Sequence, residues 1–128
     1  MKREKAQKSV SKLKLRLDVL VSKYVRLTGD NHCYTCGKVG GFKTLQCGHY
    51  IHRRITATRW DLDNLRVQDV GCNYFGNQQH IFGEKLRKEL GPERWDALHE
   101  RARHTKPFIA KQIEEMIEEY KKKLEELT

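Results

Sequence analysis

Eight residues carry the spacing from which chemistry could be built. Cys33 and Cys36 form a Cys-x₂-Cys pair, and Asp69-x₂-Cys72-Asn73 follows about 35 residues later. Two half-sites of this kind can close one tetrahedral zinc, the first on a turn and the second at the start of a helix. Asp69 stands where a second Cys-x₂-Cys would have its first cysteine, and Cys47 is the other candidate for the fourth position. A redox pair is disfavoured because Gly37-Lys38-Val39-Gly40-Gly41 is turn chemistry, whereas a thioredoxin-like motif needs a helix there. Between the half-sites lie His49 and Asn64, and Asn73 directly follows the last cysteine.

The elements that must position these residues can be read from periodicity. Residues 9–28 form an amphipathic helix, with Val10, Leu13, Leu17, Leu20, Tyr24 and Leu27 on one face and Ser9 as its cap. Residues 31–52 have β composition around glycine turns, 53–63 read as a loop, and Asn64–Gln68 as a short strand. Helix follows from about Cys72 to Leu90, broken by Gly91-Pro92, with a short helix over 92–103. Thr105 is the expected cap of a last helix whose stripe is Ile109, Ile113, Met116, Ile117, Tyr120, Leu124 and Leu127. The expected fold is α+β: a basic helix over 1–30, a zinc-stapled centre over 31–91 and a helical extension over 92–128. Such a centre buries too little apolar surface to order itself, so a zinc is expected to hold it.

Charge points to the partner. The chain of 128 residues has a net charge of +9, and residues 1–28 hold nine bases against two acids. A basic domain of this size suggests a polyanion, most often nucleic acid. Lys12, Lys14 and Arg16 are candidate phosphate contacts on the helix. No run approaches the roughly 20 apolar residues of a membrane span. Met1-Lys2-Arg3-Glu4-Lys5 leads into no apolar stretch of a secretory signal, so a soluble cytoplasmic protein is expected.

Gly48-His49 on a strand, Asn64, and Cys72-Asn73 opening a helix resemble the His-Asn-Asn form of HNH (His-Me finger) endonucleases. The order is more specifically similar to the lambdoid phage NinG, or Rap, recombination protein family. It runs Cys33-x₂-Cys36-Gly37, Cys47-Gly48-His49-Tyr50, Asn64, Gln68-x₃-Cys72-Asn73, Gly76-Asn77, Leu86, Gly91 and Glu119-Tyr120-x₃-Leu124. This covers about three quarters of the chain.

The resemblance implies a ββα-metal core and a divalent-metal-dependent endonuclease acting on branched recombination intermediates such as Holliday junctions, in the bacterial host cytoplasm. It implies His49 as general base, Asn64 as the residue that holds the loop and orients the imidazole, and Asn73 as a ligand of a catalytic Mg²⁺ or Mn²⁺. Asn77 would be a second ligand. Cys33, Cys36, Asp69 and Cys72 would hold the structural zinc. Arg53, Arg54 and Arg59, between His49 and Asn64, then look like phosphate clamps. His52 and His80 are lesser candidates. A non-catalytic, zinc-stabilised DNA-binding protein is the alternative. Symmetric cutting of a four-way junction needs two centres, so a homodimer paired through the two long helices is expected.

Overall fold

The computed structural model describes residues 2–75 and 78–128. Asn77 therefore lies outside the described residues. The elements are α1 (Lys2–Thr28), β1 (Leu45–His49), β2 (Leu65–Asp69), α2 (Val70–Phe75), α3 (Gln79–Ala102) and α4 (Ala110–Glu126). Short 3₁₀ turns at Thr56–Thr58 and Leu62–Asn64 shape the segment between the strands. Helix, a small antiparallel sheet and more helix make the α+β class expected from the sequence.

α1 starts well before Ser9 because Lys2 to Lys8 contains good helix formers and no breaker. Its core face is Leu17, Val21 and Val25, all buried, with Val10, Leu13, Leu20 and Tyr24 partly buried beside them. Leu27 points outward and is half exposed. α4 begins at Ala110 rather than beside Thr105, since Pro107 disfavours helical geometry in the residue before it. In place of a threonine cap, the Gln112 side chain accepts from the Ile109 backbone N–H at 2.9 Å.

The stripe of α4 is spent inside the chain. Ile113, Ile117 and Tyr120 are buried in one cluster with Leu17, Val21 and Val25, and Tyr120 meets the Tyr24 ring edge-on at 5.6 Å. The two long helices therefore cover each other. Leu15, Val19 and Leu27 of α1, and Ile109 and Leu127 at the two ends of α4, stay exposed.

β1 and β2 pair antiparallel from Leu45↔Asp69 to His49↔Leu65. Leu45, Leu65 and Val67 bury their side chains against α1 and α4. A second cluster, Phe82, Leu86, Leu90 and Leu98, sits on α3 with Tyr34, Tyr50 and Trp95 against it. The Gly91-Pro92 break is present as a non-helical kink at Gly91, φ 80°. It folds the two halves of α3 onto one cluster.

Gly48 is required by a close approach. The Gln68 side chain is buried and crosses strand β1 at this point, where its Nε2 donates to the Thr35 hydroxyl at 3.2 Å. A Cβ at position 48 would lie 2.7 Å from Gln68 Cδ and 2.8 Å from its Cγ. Gly48→Ala is thus expected to destabilise the fold by about 1–3 kcal/mol, as overpacking does in close-packed interiors. Urea unfolding checks it, and an unchanged midpoint would show that Gln68 can move aside.

Candidate active site and metal centre

The first half-site forms on a tight turn. Cys33 N–H donates to the Lys38 carbonyl and Gly37 N–H to the Cys33 carbonyl, each at 2.9 Å. Gly37 has φ 78°, the left-handed conformation that closes such a turn at little cost for glycine. Cys72 comes from the first turn of α2. The three Sγ atoms of Cys33, Cys36 and Cys72 lie within 4.8 Å of one another. Ligand sulfurs about 2.3 Å from a tetrahedral zinc stand about 3.8 Å apart, so a small contraction closes the site.

The electrostatics suit a cation. Burial pushes the Cys33 thiol up. The Thr35 hydroxyl and the backbone N–H groups of Asp69, Cys36 and Thr35 more than reverse this and bring it to about 6. Burial, together with the Cys36 and Cys33 thiols, pushes Cys72 up to about 11. Without metal Cys33 thus favours the thiolate and Cys72 the thiol, whose proton a divalent cation would displace.

The two candidates for a fourth ligand are placed elsewhere. The Asp69 carboxylate accepts from Gly71 N–H at 3.1 Å and faces Lys38 at 4.0 Å, so it caps the start of α2 outside the cysteine group. Its main chain, by its N–H to Cys33, is what serves the centre. Cys47 lies in the strand beside His49, where burial pushes its thiol up to about 12. It belongs to the next cavity.

That cavity, of about 460 Å³, is lined by His49, Asn73, Asp18, Arg26, Arg53 and Arg59 among others. His49 Nε2 is 2.9 Å from the Arg59 carbonyl. A carbonyl only accepts, so Nε2 carries the proton, and the lone pair of the neutral ring is on Nδ1. Nδ1 has no hydrogen-bond partner among the described residues. Burial holds the His49 pKa below the ordinary imidazole value, so the ring stays neutral at pH 7.

Asn64 does not touch the imidazole. It is fully buried, accepts from Ile51 N–H at 2.7 Å, and donates to the Ile51 and Thr58 carbonyls at 3.0 and 3.1 Å. One side chain thereby pins both ends of the loop that presents the Arg59 carbonyl. Asn73 Nδ2 donates to Gln46 Oε1 at 2.8 Å, which leaves its amide oxygen without a donor among the described residues.

The basic residues divide. Lys12 and Arg16 are exposed on α1, and Lys14 is half-buried. Arg54 is exposed, and its N–H donates to His52 Nδ1 at 3.1 Å. The Arg59 side chain is only 13 % exposed and is forked onto Asp18, so it is a fixed strut rather than a free phosphate clamp. Arg53 is half exposed and donates to the same carboxylate at 2.6 Å. His52 is at the rim of the cavity, whereas His80 lines a separate groove with Tyr50 and Trp95.

Sequence reasoning missed Arg26 and Asp18. Arg26 stands over the Phe42 ring at 3.9 Å and reaches the cavity. Asp18 is the only acid in residues 5–28, an oddity that could have marked it.

A family model described as the bacteriophage lambda NinG protein matches residues 1–128. No curated protein and no solved structure is significantly similar to the chain. Among the described residues no helix is long and apolar enough to cross a membrane.

Proposed function

Since the chain belongs to the bacteriophage lambda NinG family, we propose that it is a divalent-metal-dependent endonuclease of the HNH type acting on branched DNA. The observation that carries this reading is the state of His49. Its Nε2–H is tied to the Arg59 carbonyl, which leaves the ring's lone pair on Nδ1, and the residue lines the same cavity as Asn73.

A base for activating water must be neutral at working pH and aimed at the proton it takes. His49 meets the first condition through burial, and its fixed tautomer leaves Nδ1 as the atom that would take the proton. Arg53 and Arg26 line the cavity and offer positive charge where a phosphodiester would lie, and Arg54 is exposed next to Arg53 in sequence. Lys12 and Arg16 extend that charge along α1.

The Asn73 amide oxygen fits a hard cation such as Mg²⁺, which commonly keeps several waters and takes few protein ligands. When bound, that ion would supply charge stabilisation at the scissile phosphate and the leaving 3′ oxygen. Gly48 offers no further ligand, because the crossing of Gln68 demands glycine there. Zinc is the metal proposed for Cys33, Cys36 and Cys72, with a structural role. Cutting both strands of a four-way junction requires two centres, so pairing of two chains on DNA belongs to the same proposal.

The test is a labelled four-way junction and a linear duplex of the same sequence, each with Mg²⁺ added or with no divalent ion added to the zinc-loaded protein. Mg²⁺-dependent cleavage that favours the junction is expected. Tight binding with no cleavage in Mg²⁺ or Mn²⁺ would instead identify a zinc-stabilised DNA-binding protein.

A further inference from the structure

Asp18 sits on α1, far in sequence from the residues of the cavity, yet its carboxylate is the most heavily engaged group there. It is 19 % exposed. Its Oδ1 accepts from Arg59 Nε at 2.9 Å and from Trp60 Nε1 at 2.8 Å. Its Oδ2 accepts from Arg53 Nη2 at 2.6 Å and from Arg59 Nη2. With four donors on two oxygens, little capacity remains for a metal ion. The carboxylate is therefore a holder rather than a ligand.

What it holds is specific. Arg59 makes two connections at once: its guanidinium forks onto Asp18, and its main-chain carbonyl accepts from His49 Nε2. Residues 56–59 form only a single 3₁₀ turn, with Arg59 N–H reaching the Thr56 carbonyl at 3.2 Å. So short a turn does not fix the direction of its last carbonyl unaided. Asn64 and Asp61 hold the Thr58 carbonyl on one side of Arg59, and Asp18 completes the hold by taking the Arg59 guanidinium in a fork and Trp60 Nε1 beside it.

We propose that Asp18 is a positioning residue for His49: by locking Arg59 it holds the imidazole as the Nε2–H tautomer with the lone pair on Nδ1. Its catalytic meaning rests on the reading of His49 as a base, but control of the tautomer does not. The basic helix is then part of the site's framework as well as a surface for phosphate.

The test is ¹⁵N NMR of histidine-labelled full-length protein at pH 8, which reads the His49 tautomer without any need for activity. The wild type is expected as a single Nε2–H form. Asp18→Asn and Arg59→Gln should each give a mixture of tautomers, and the double variant should add nothing further, as for residues acting through one interaction. Arg59→Lys keeps the charge but not the fork, and it should give a mixture even if the other variants fail to fold. Glu89→Gln removes a comparable ion pair, with Arg66, in another groove and should leave His49 unchanged.

A pure Nε2–H form in folded Asp18→Asn or Arg59→Lys would overturn the proposal. So would an equal change in Glu89→Gln. If cleavage is established, Asp18→Asn should lower kcat about 10–100-fold with little change in KM. If no variant and no wild type cleaves, the tautomer result still decides the role of Asp18.

Discussion

His49→Ala is expected to lower Mg²⁺-dependent cleavage of a branched duplex by about 10²–10⁴-fold, the usual contribution of a positioned base. Binding to the same DNA without added Mg²⁺ should be nearly unchanged, because the side chain carries no charge at pH 7. The pH profile gives a second check. Protonation of Nδ1 removes the base, and burial makes that protonation harder. Activity should therefore persist as pH falls through the ordinary imidazole value near 6.5 and be lost only below it. Wild-type rates in His49→Ala would exclude this residue as the base. An acid limb above the ordinary value would contradict the environment described for it.

Removal of metal from the cysteine site is expected to have the largest effect on the fold. One zinc per chain should be found by elemental analysis, and a strong chelator should unfold or loosen the centre. Apparent binding energies of structural zinc are on the order of 10 kcal/mol in small modules, comparable with the whole stability of a domain. The reason lies in what the ion would join. Cys33 and Cys36 belong to the turn after α1, Cys72 begins α2, and Asn73 is its neighbour. Cys72→Ala should thus lower melting temperature and also reduce Mg²⁺-dependent cleavage by displacing Asn73. Unchanged melting after chelation, with no zinc detected, would end the structural-metal reading.

Much of this site could be read from sequence because its signals are local. The Cys-x₂-Cys turn is set by four residues, and the glycine that permits it stands next to them. The His49 strand and the Asn73 helix carry side chains of telling type at telling spacing. The roles of Arg59 and Asp18 could not be read this way. Arg59 acts on His49 through a main-chain carbonyl, which every residue possesses, and Asp18 arrives from another helix through tertiary packing. Asp69 misled for a related reason: its spacing matches a ligand, yet its carboxylate caps α2 and only its N–H reaches the sulfur. The long helices were legible as amphipathic stripes. Periodicity shows that a face must be covered but not by what, and here each covers the other.

That mutual covering sets an order of events during synthesis. α1 is made before α4, and the cover of its Leu17, Val21 and Val25 stays incomplete until Ile113, Ile117 and Tyr120 of α4 have emerged. A contact between elements this distant must close a long loop before it gives any stabilisation, so it forms late and slowly. Asp18 lies on the same helix as those residues and is seated beside His49 only once α1 is docked. A nascent chain would thus carry the cysteines, His49 and Asn73 without the finished centre until α4 has emerged. The fold itself would delay the proposed activity until α4 has docked on α1.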